Sequence, residues 1–356
     1  MSERSSRETV SPPAMMRAQM LHRPGELELV DVPRPSAGPG EVILRVRAAL
    51  TCGTDVKLFL RGHPIFPTPT LFGHEYAGEA AEVGAGVHGF KEGDALMTVP
   101  TAPCGECYYC QHGDENLCGA IKRDYVVGGF GEYVRLPAPV VRRNTFRKPS
   151  SISFAEAALL EPLSCVVHGL AMVPLAPDAT VVLLGAGAIS LLHLLAVRAL
   201  GIDNVAVVGR GEKRLEQARH IGATAAIAGG AENAADAIAR ITGGRGADVV
   251  VECTGQAAVW ESAPALARRG GWVILFGGCA AGTQVSFDAH RMHYDQVRLV
   301  SPFHFTPRDV AQAHELLVGG KIGGGRLISA EYGLEDLPLA LARHRRGEGI
   351  KYAVVP

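Results

Sequence analysis

Cysteines, histidines and carboxylates carry the chemistry open to this chain, and their spacing is uneven. Four thiols crowd the segment CGECYYCQHGDENLC, as Cys104, Cys107, Cys110 and Cys118, in the pattern C-x2-C-x2-C-x7-C. Such gaps let one loop bring its thiolates to a single ion, and Gly105 and Gly113 allow the tight turns required. Zinc takes four thiolates in a tetrahedral shell with no open position, so this site is expected to be structural. An iron–sulfur cluster and free thiols are the alternatives, and the loop lacks the proline-terminated ferredoxin pattern. A second set is dispersed over TCGTD (51–55), FGHE (72–75) and LLEPLSCVVHG (159–169). There Cys52, His74, Glu75 and Glu161 offer thiolate, imidazole and carboxylate, a mixed shell that keeps a place for water or substrate. Each also has a plainer reading: a packed cysteine, a surface His-Glu pair, a glutamate starting a helix before proline.

Composition bounds the setting. The chain has 356 residues, 47% hydrophobic, which is enough for two domains with their own cores. A formal net charge of −1 gives no basic field for nucleic acid or an anionic membrane surface. No apolar run approaches the roughly 20 residues of a membrane helix. The first residues, MSERSSRETVSPPAMMR, are polar and proline-containing and lack the apolar core of a secretory signal, so 1–17 is expected to be a disordered leader. The expected location is the cytoplasm, a reducing compartment where clustered cysteines hold metal more often than they pair.

The stretch GHEYAGEAAEVGAGV, with Gly78, Gly84 and Val87 following His74-Glu75, resembles the signature of zinc-containing medium-chain alcohol dehydrogenases. The cysteine loop resembles that family's structural zinc lobe. EPLS at 161–164 is similar to the sorbitol and threonine dehydrogenase branch, where a glutamate replaces a cysteine. The likeness runs from about Ala18 to the terminal GIKYAVVP. It implies two zinc ions per chain, one structural and one catalytic. Cys52 and His74 would be ligands of the second, with Glu75 and Glu161 ligands or immediate partners. It also implies a relay hydroxyl at Thr54. Where the family often has a histidine, this chain has Lys57, so Lys57 or His63 is the candidate outer relay.

From Ala179 the pattern changes. TVVLLGAGAIS is an apolar run ending in Gly185-x-Gly187, followed by a helical repeat with Ala188 and Ile189 at its start. A glycine turn between strand and helix lets a pyrophosphate approach the backbone. Ser190 stands where the fingerprint has its third glycine. Further apolar strands are expected at 205–209, 225–228, 247–255 and 271–278, with helices near 212–221, near 232–241 and up to Ala267. Continuous apolar strands alternating with helices indicate a parallel sheet buried on both faces. Thr254, Phe276 and Gly277, at strand ends, join the candidate cofactor site. After the second strand stand Gly209 and Arg210, with Lys213 and Arg214 one turn on. No acid is there for a ribose hydroxyl, and an arginine can pair a 2′-phosphate, so NADP(H) is preferred, with NAD(H) possible.

Zinc would make an alcohol acidic enough to give hydride to a nicotinamide ring. The segment VSPFHFTP (300–307) looks like the return to the catalytic domain. Its His304-Phe305 replaces an Arg-Tyr pair of the sorbitol branch, and Leu58 replaces a tyrosine. Both changes point away from an open-chain polyol, and His304 and Leu58 are the candidate substrate contacts. Cys165, close to Glu161, is a further candidate; His168, His193, His220, Cys253 and Cys279 read as packing or surface groups. EVILRVRAA puts Val42, Leu44 and Val46 on one face of a strand. The expected architecture is α/β. A GroES-like β-rich catalytic domain spans 18–165 and 304–356, and a Rossmann doubly wound domain spans 166–303. The expected activity interconverts a secondary alcohol, or a cyclic or modified sugar alcohol, with its ketone. The rivals are an NAD-dependent polyol or amino-alcohol dehydrogenase, and a catalytically silent zinc- and nucleotide-binding protein or redox sensor. The resemblance implies a homodimer or homotetramer.

Overall fold

A computed structural model of the chain describes residues 14–63 and 65–356. The leader expected over 1–17 lies outside the described residues up to position 13. Met15, Met16 and Arg17 already belong to the first strand, Met15–Arg23, so the expected boundary is three residues late.

The nucleotide half is one six-stranded sheet whose neighbours are all parallel. Across the sheet run Ala225–Ala228, Val205–Gly209, Val181–Leu184, Ala247–Glu252, Ala267–Leu275 and Arg298–Val300. The strand order reverses between Val181–Leu184 and Ala247–Glu252, which opens a crevice at their carboxyl ends. Val181–Leu184 is fully buried, as a strand covered on both faces must be. Three expectations shift here, the first being that the strand expected over 247–255 ends at Glu252. Helical turns stop at Leu266, and the fifth strand starts at Ala267 rather than 271 and stops at Leu275 rather than 278. Gly270 takes φ +68° within it, and the register slips between Ala247 and Val249. The glycine pair that reads as a turn is thus a bulge inside the strand.

The catalytic half is built on a mixed sheet in the order Ile328–Gly333, Lys351–Val355, Val42–Leu50, Tyr76–Val83, Ala95–Thr98 and Thr145–Arg147, with Tyr133–Leu136 also on Val42–Leu50. The C-terminal strand thus lies beside Val42–Leu50. Gly78 shows why this sheet needs glycine. A Cβ there would sit 2.0 Å from the Arg45 carbonyl oxygen, and one at Gly84 would sit 1.9 Å from that of Gly38.

Between the halves runs the helix Leu160–Ala171. The expected boundary at 165 falls inside it. One hydrophobic core runs through it, from Leu50, Met97 and Val99 to Val181, Leu183 and Leu194. The stretch Phe154–Ala171 is apolar and long enough to pass for a membrane span by length and composition, yet 72% of it is buried in the protein.

Candidate active site

Cys52 ends the turn after Val42–Leu50 and caps the helix Gly53–Arg61: its Sγ accepts the Thr54 N–H at 3.4 Å. Asp55 completes the cap, its Oδ2 accepting the Cys52 N–H at 2.9 Å. Its other oxygen lies 3.1 Å from His74 Nδ1. Asp55 thus holds a thiol and an imidazole together while itself 1% exposed. His74 and Glu75 lead into the strand Tyr76–Val83, tied by the Leu50 N–H to the Glu75 carbonyl at 2.9 Å. Ligand atoms of Cys52, His74 and Glu75 all lie within 4.8 Å of one another.

Glu75 is fully buried. Its Oε2 pairs with the Lys351 ammonium, which also donates to the Thr51 carbonyl at 3.1 Å. Among the described residues its Oε1 is buried without a partner. A carboxylate oxygen left unpaired beside a thiol and an imidazole is what a borderline cation would complete, so the residues fit zinc. The electrostatics agree. Burial, with Glu75 next, raises the Cys52 thiol above its usual range. Burial alone would lower His74, but Asp55 and Cys52 raise it well above the usual histidine range. Burial would likewise lower Lys351, yet Glu75 and Cys52 raise it, so the ammonium persists.

Glu161 occupies the first turn of Leu160–Ala171 and joins an adjoining group: its carboxylate, the Cys165 thiol and the His304 ring have ligand atoms within 4.8 Å of one another. Cys165 Sγ lies 4.0 Å from Glu161 Oε1, one helical turn on. Burial pushes the Glu161 carboxyl up to about 7; His74 opposes this and Glu75 adds to it. Burial pushes His304 down to about 3, so the ring is neutral. His304 takes φ +62°, which costs a non-glycine residue about 1–2 kcal/mol. Its Nε2 is 2.5 Å from Thr101 Oγ1, and its ring stacks on Phe305 at 3.8 Å. Tyr125 closes the space between the two groups, its ring 6.1 Å from His74, 6.0 Å from His304 and 4.9 Å from Phe66. Leu58 is in the catalytic core, 4% exposed. Thr54 lies beside Cys52. Lys57 Nζ donates to the Gly278 carbonyl at 3.3 Å, across to the nucleotide half, and burial lowers the His63 imidazole.

The four-cysteine lobe is equally specific. Sγ separations are 3.5 Å for Cys107–Cys110, 3.5 Å for Cys104–Cys118 and 3.9 Å for Cys104–Cys110. A disulfide would need about 2.05 Å, whereas a tetrahedral shell with zinc–sulfur bonds of about 2.3 Å has edges of roughly 3.8 Å. Backbone N–H groups of Cys104 and Gly105 donate to Cys118 and Cys110 sulfurs at 3.4 and 3.3 Å.

In the crevice, Gly185 takes φ +105° and faces Thr254, whose Cγ2 would be 3.0 Å from a Cβ there. Gly187 caps the helix Ala188–Ala199 with open space where a Cβ would project, and Ile189 lies in that helix's first turn. A Cβ at Gly209 would meet Ala186 at 2.7 Å. These suit a dinucleotide. Arg210 and Lys213 are exposed and, among the described residues, form no ion pair. Arg214 instead donates to the Gly349 carbonyl at 3.1 Å, in the catalytic half. Gly277 donates to the Glu252 carbonyl at 2.9 Å, while the Phe276 ring packs inward on His193. His168 bonds Asp309 at 2.9 Å. Asp55, Lys351, Thr101 and Tyr125 were not singled out from the sequence. Asp55 had a signal in its capping-box distance from Cys52, and Lys351 in its place within an apolar strand.

The family description "alcohol dehydrogenase GroES-like domain" matches residues 38–144, and "zinc-binding dehydrogenase" matches 188–319. The sorbitol dehydrogenase of Bacillus subtilis is 31% identical, over 97% of this chain and 98% of its own length. The D-altritol 5-dehydrogenase of Agrobacterium fabrum is 32% identical, over 90% and 94%. A zinc-binding dehydrogenase structure from Sinorhizobium meliloti with NADP bound superposes with TM-score 0.86 at 30% identity, over 96% of this chain and 100% of that one.

Proposed function

The chain belongs to the zinc-containing alcohol dehydrogenase family, enzymes acting on CH–OH groups, and from that premise we propose that it interconverts a secondary alcohol and its ketone with NADP(H). The observation that carries this reading is the orphaned Glu75 oxygen beside Cys52 and His74, in the half that the Lys57–Gly278 contact ties to the nucleotide half. Held by Cys52 and His74 with Glu75 or Glu161, a zinc ion would supply Lewis acidity at the alcohol oxygen, and a second would cross-link the cysteine lobe. The chain's own residues do the rest. Asp55 orients the imidazole, Lys351 pairs with the Glu75 carboxyl and opposes the upward push of its burial, and Thr54, beside Cys52, starts a proton path toward His63 or Lys57. His304 faces the substrate as a neutral hydrogen-bonding group, and Tyr125 and Phe66 make the wall apolar.

That wall favours a cyclic or modified sugar alcohol over an open-chain polyol, within the polyol chemistry that the relatives' names state. Arg210, exposed after a strand that ends in glycine, suits a 2′-phosphate. The open edge of Arg298–Val300 suits pairing with a second copy, and eight free thiols suit a reducing compartment. The test joins three measurements: zinc per chain, turnover on a panel of secondary alcohols, and initial rates with NADP against NAD. Two zincs are expected in the wild type. In Cys52→Ala one zinc and no turnover are expected, and in Arg210→Ala a reduced preference for NADP. Full turnover by Cys52→Ala would remove the metal reading, and an unshifted preference in Arg210→Ala the phosphate reading.

A further inference from the structure

The segment 301–306 carries the chain from the last parallel strand, Arg298–Val300, to the helix Pro307–Val318, with His304 at its middle. Its two ends are tied locally. Ser301 Oγ donates to the Leu275 carbonyl at 3.2 Å, and Thr306 caps the helix in a box with Asp309. Neither tie explains why His304 itself stands at φ +62°. The hydrogen bonds made at the middle of the segment come from the cysteine lobe and its root. Asn116, in the turn Glu115–Leu117 just before Cys118, donates from Nδ2 to the Phe303 carbonyl at 3.0 Å. Thr101, three residues before Cys104, meets His304 Nε2 with its hydroxyl, and Asn144 Nδ2 anchors the Thr101 carbonyl at 2.7 Å. Asn116 and Thr101 are 8% and 1% exposed. The Lys122 ammonium, just past the lobe, lies 5.4 Å from the centre of the Phe303 ring.

We propose that the four-cysteine lobe is a positioning device for the active site: Asn116 and Thr101 hold His304 in its left-handed conformation, so that the imidazole stays beside Glu161 and Cys165. Asn116 fixes the peptide before His304 and Thr101 fixes the ring, so backbone and side chain are set from one rigid source. Without them the residue relaxes to an ordinary φ and the ring swings off the carboxylate. The lobe then acts on substrate recognition from a distance, in addition to stabilising its own loop. This rests on the reading of His304 as a substrate contact.

The test uses the full-length, zinc-replete enzyme and the panel alcohol with the highest rate. Asn116→Asp keeps the shape but turns the donor into an acceptor; Thr101→Val removes the hydroxyl; Thr101→Ser restores it. In Asn116→Asp and Thr101→Val the KM for alcohol should rise about tenfold, with cofactor KM and zinc content unchanged. Thr101→Ser should return toward the wild type. The His304 ring signals in 15N NMR, assigned with His304→Ala, should move in both deleterious variants. Unchanged alcohol KM and unmoved signals would overturn the inference, as would loss of lobe zinc with a uniform fall in kcat. If Thr101→Val does not fold, Asn116→Asp decides. His304→Ala separates the two readings: no rise in alcohol KM there removes the substrate contact itself. A rise there with no effect of Asn116→Asp or Thr101→Val removes only the positioning role.

Discussion

Lys351 and Glu75 are 1% and 0% exposed, and each makes the other tolerable. Two charges in a low-dielectric interior lose their hydration, and only close pairing with further hydrogen bonds offsets that loss. Lys351 has its further bond in the Thr51 carbonyl; Glu75 keeps one oxygen for the metal. Lys351→Met therefore leaves a buried carboxylate alone, and denaturant unfolding should show a loss of about 3–5 kcal/mol. Adding Glu75→Gln should recover much of that stability without recovering turnover. If the double variant is no more stable than the single one, the pair is not what the lysine serves. The same pair shows what the sequence could convey. Cys52 and His74 are legible because their motifs are local. Lys351 meets Glu75 across 276 residues, and a strand's alternation does not say which inward side chain finds a partner at that distance.

At the scale of elements, the glycines of the GHE signature have a steric reason. Gly78 lies where Tyr76–Val83 crosses Val42–Leu50, next to a register slip between Val46 and Ala48. A methyl group there would stand 2.0 Å from a backbone oxygen, and backbone cannot rotate away as a side chain can. Gly78→Ala should cost about 3 kcal/mol or more and lower the zinc content of the Cys52–His74 site, because the displaced strand carries His74 and Glu75 at its head. Gly119→Ala, with nothing within 4 Å of the added carbon, is the control and should stay within about 1 kcal/mol of the wild type. Equal melting temperatures for the two variants would refute the close-approach argument. The strands and helices of the nucleotide half were largely legible, since apolar runs and helical repeats alternate there. The fifth strand's start was not, because Arg268-Arg269-Gly270-Gly271 has the composition of a turn, and only the neighbouring strands make it a bulge.

In the whole molecule the two halves share one core and are cross-tied by Lys57 to Gly278, Arg214 to Gly349 and Asn116 to Phe303. The helix Leu160–Ala171, which residue 165 falls within, packs into that shared core from both sides. His193 lies in that shared core, 0% exposed, with Nδ1 on the Ile189 carbonyl at 2.9 Å and Nε2 without a partner among the described residues. Burial holds its pKa down at about 4, against 6.5 for an ordinary histidine, with the Ile189 bond opposing. Between those values the unfolded chain takes up a proton that the folded chain refuses. The neutral ring's contribution is therefore complete above pH 6.5 and is lost as pH falls toward 4, by roughly 3 kcal/mol in all. The metal sites also weaken in acid, so the wild-type curve alone does not isolate this residue. His193→Leu removes its proton uptake and leaves the metal ligands untouched. Melting temperatures of the two proteins, each with zinc, should shift relative to each other in the variant's favour as pH is lowered from 7 to 4.5, the variant losing less. A gap of constant size across that range would mean that His193 does not titrate in the way its burial requires.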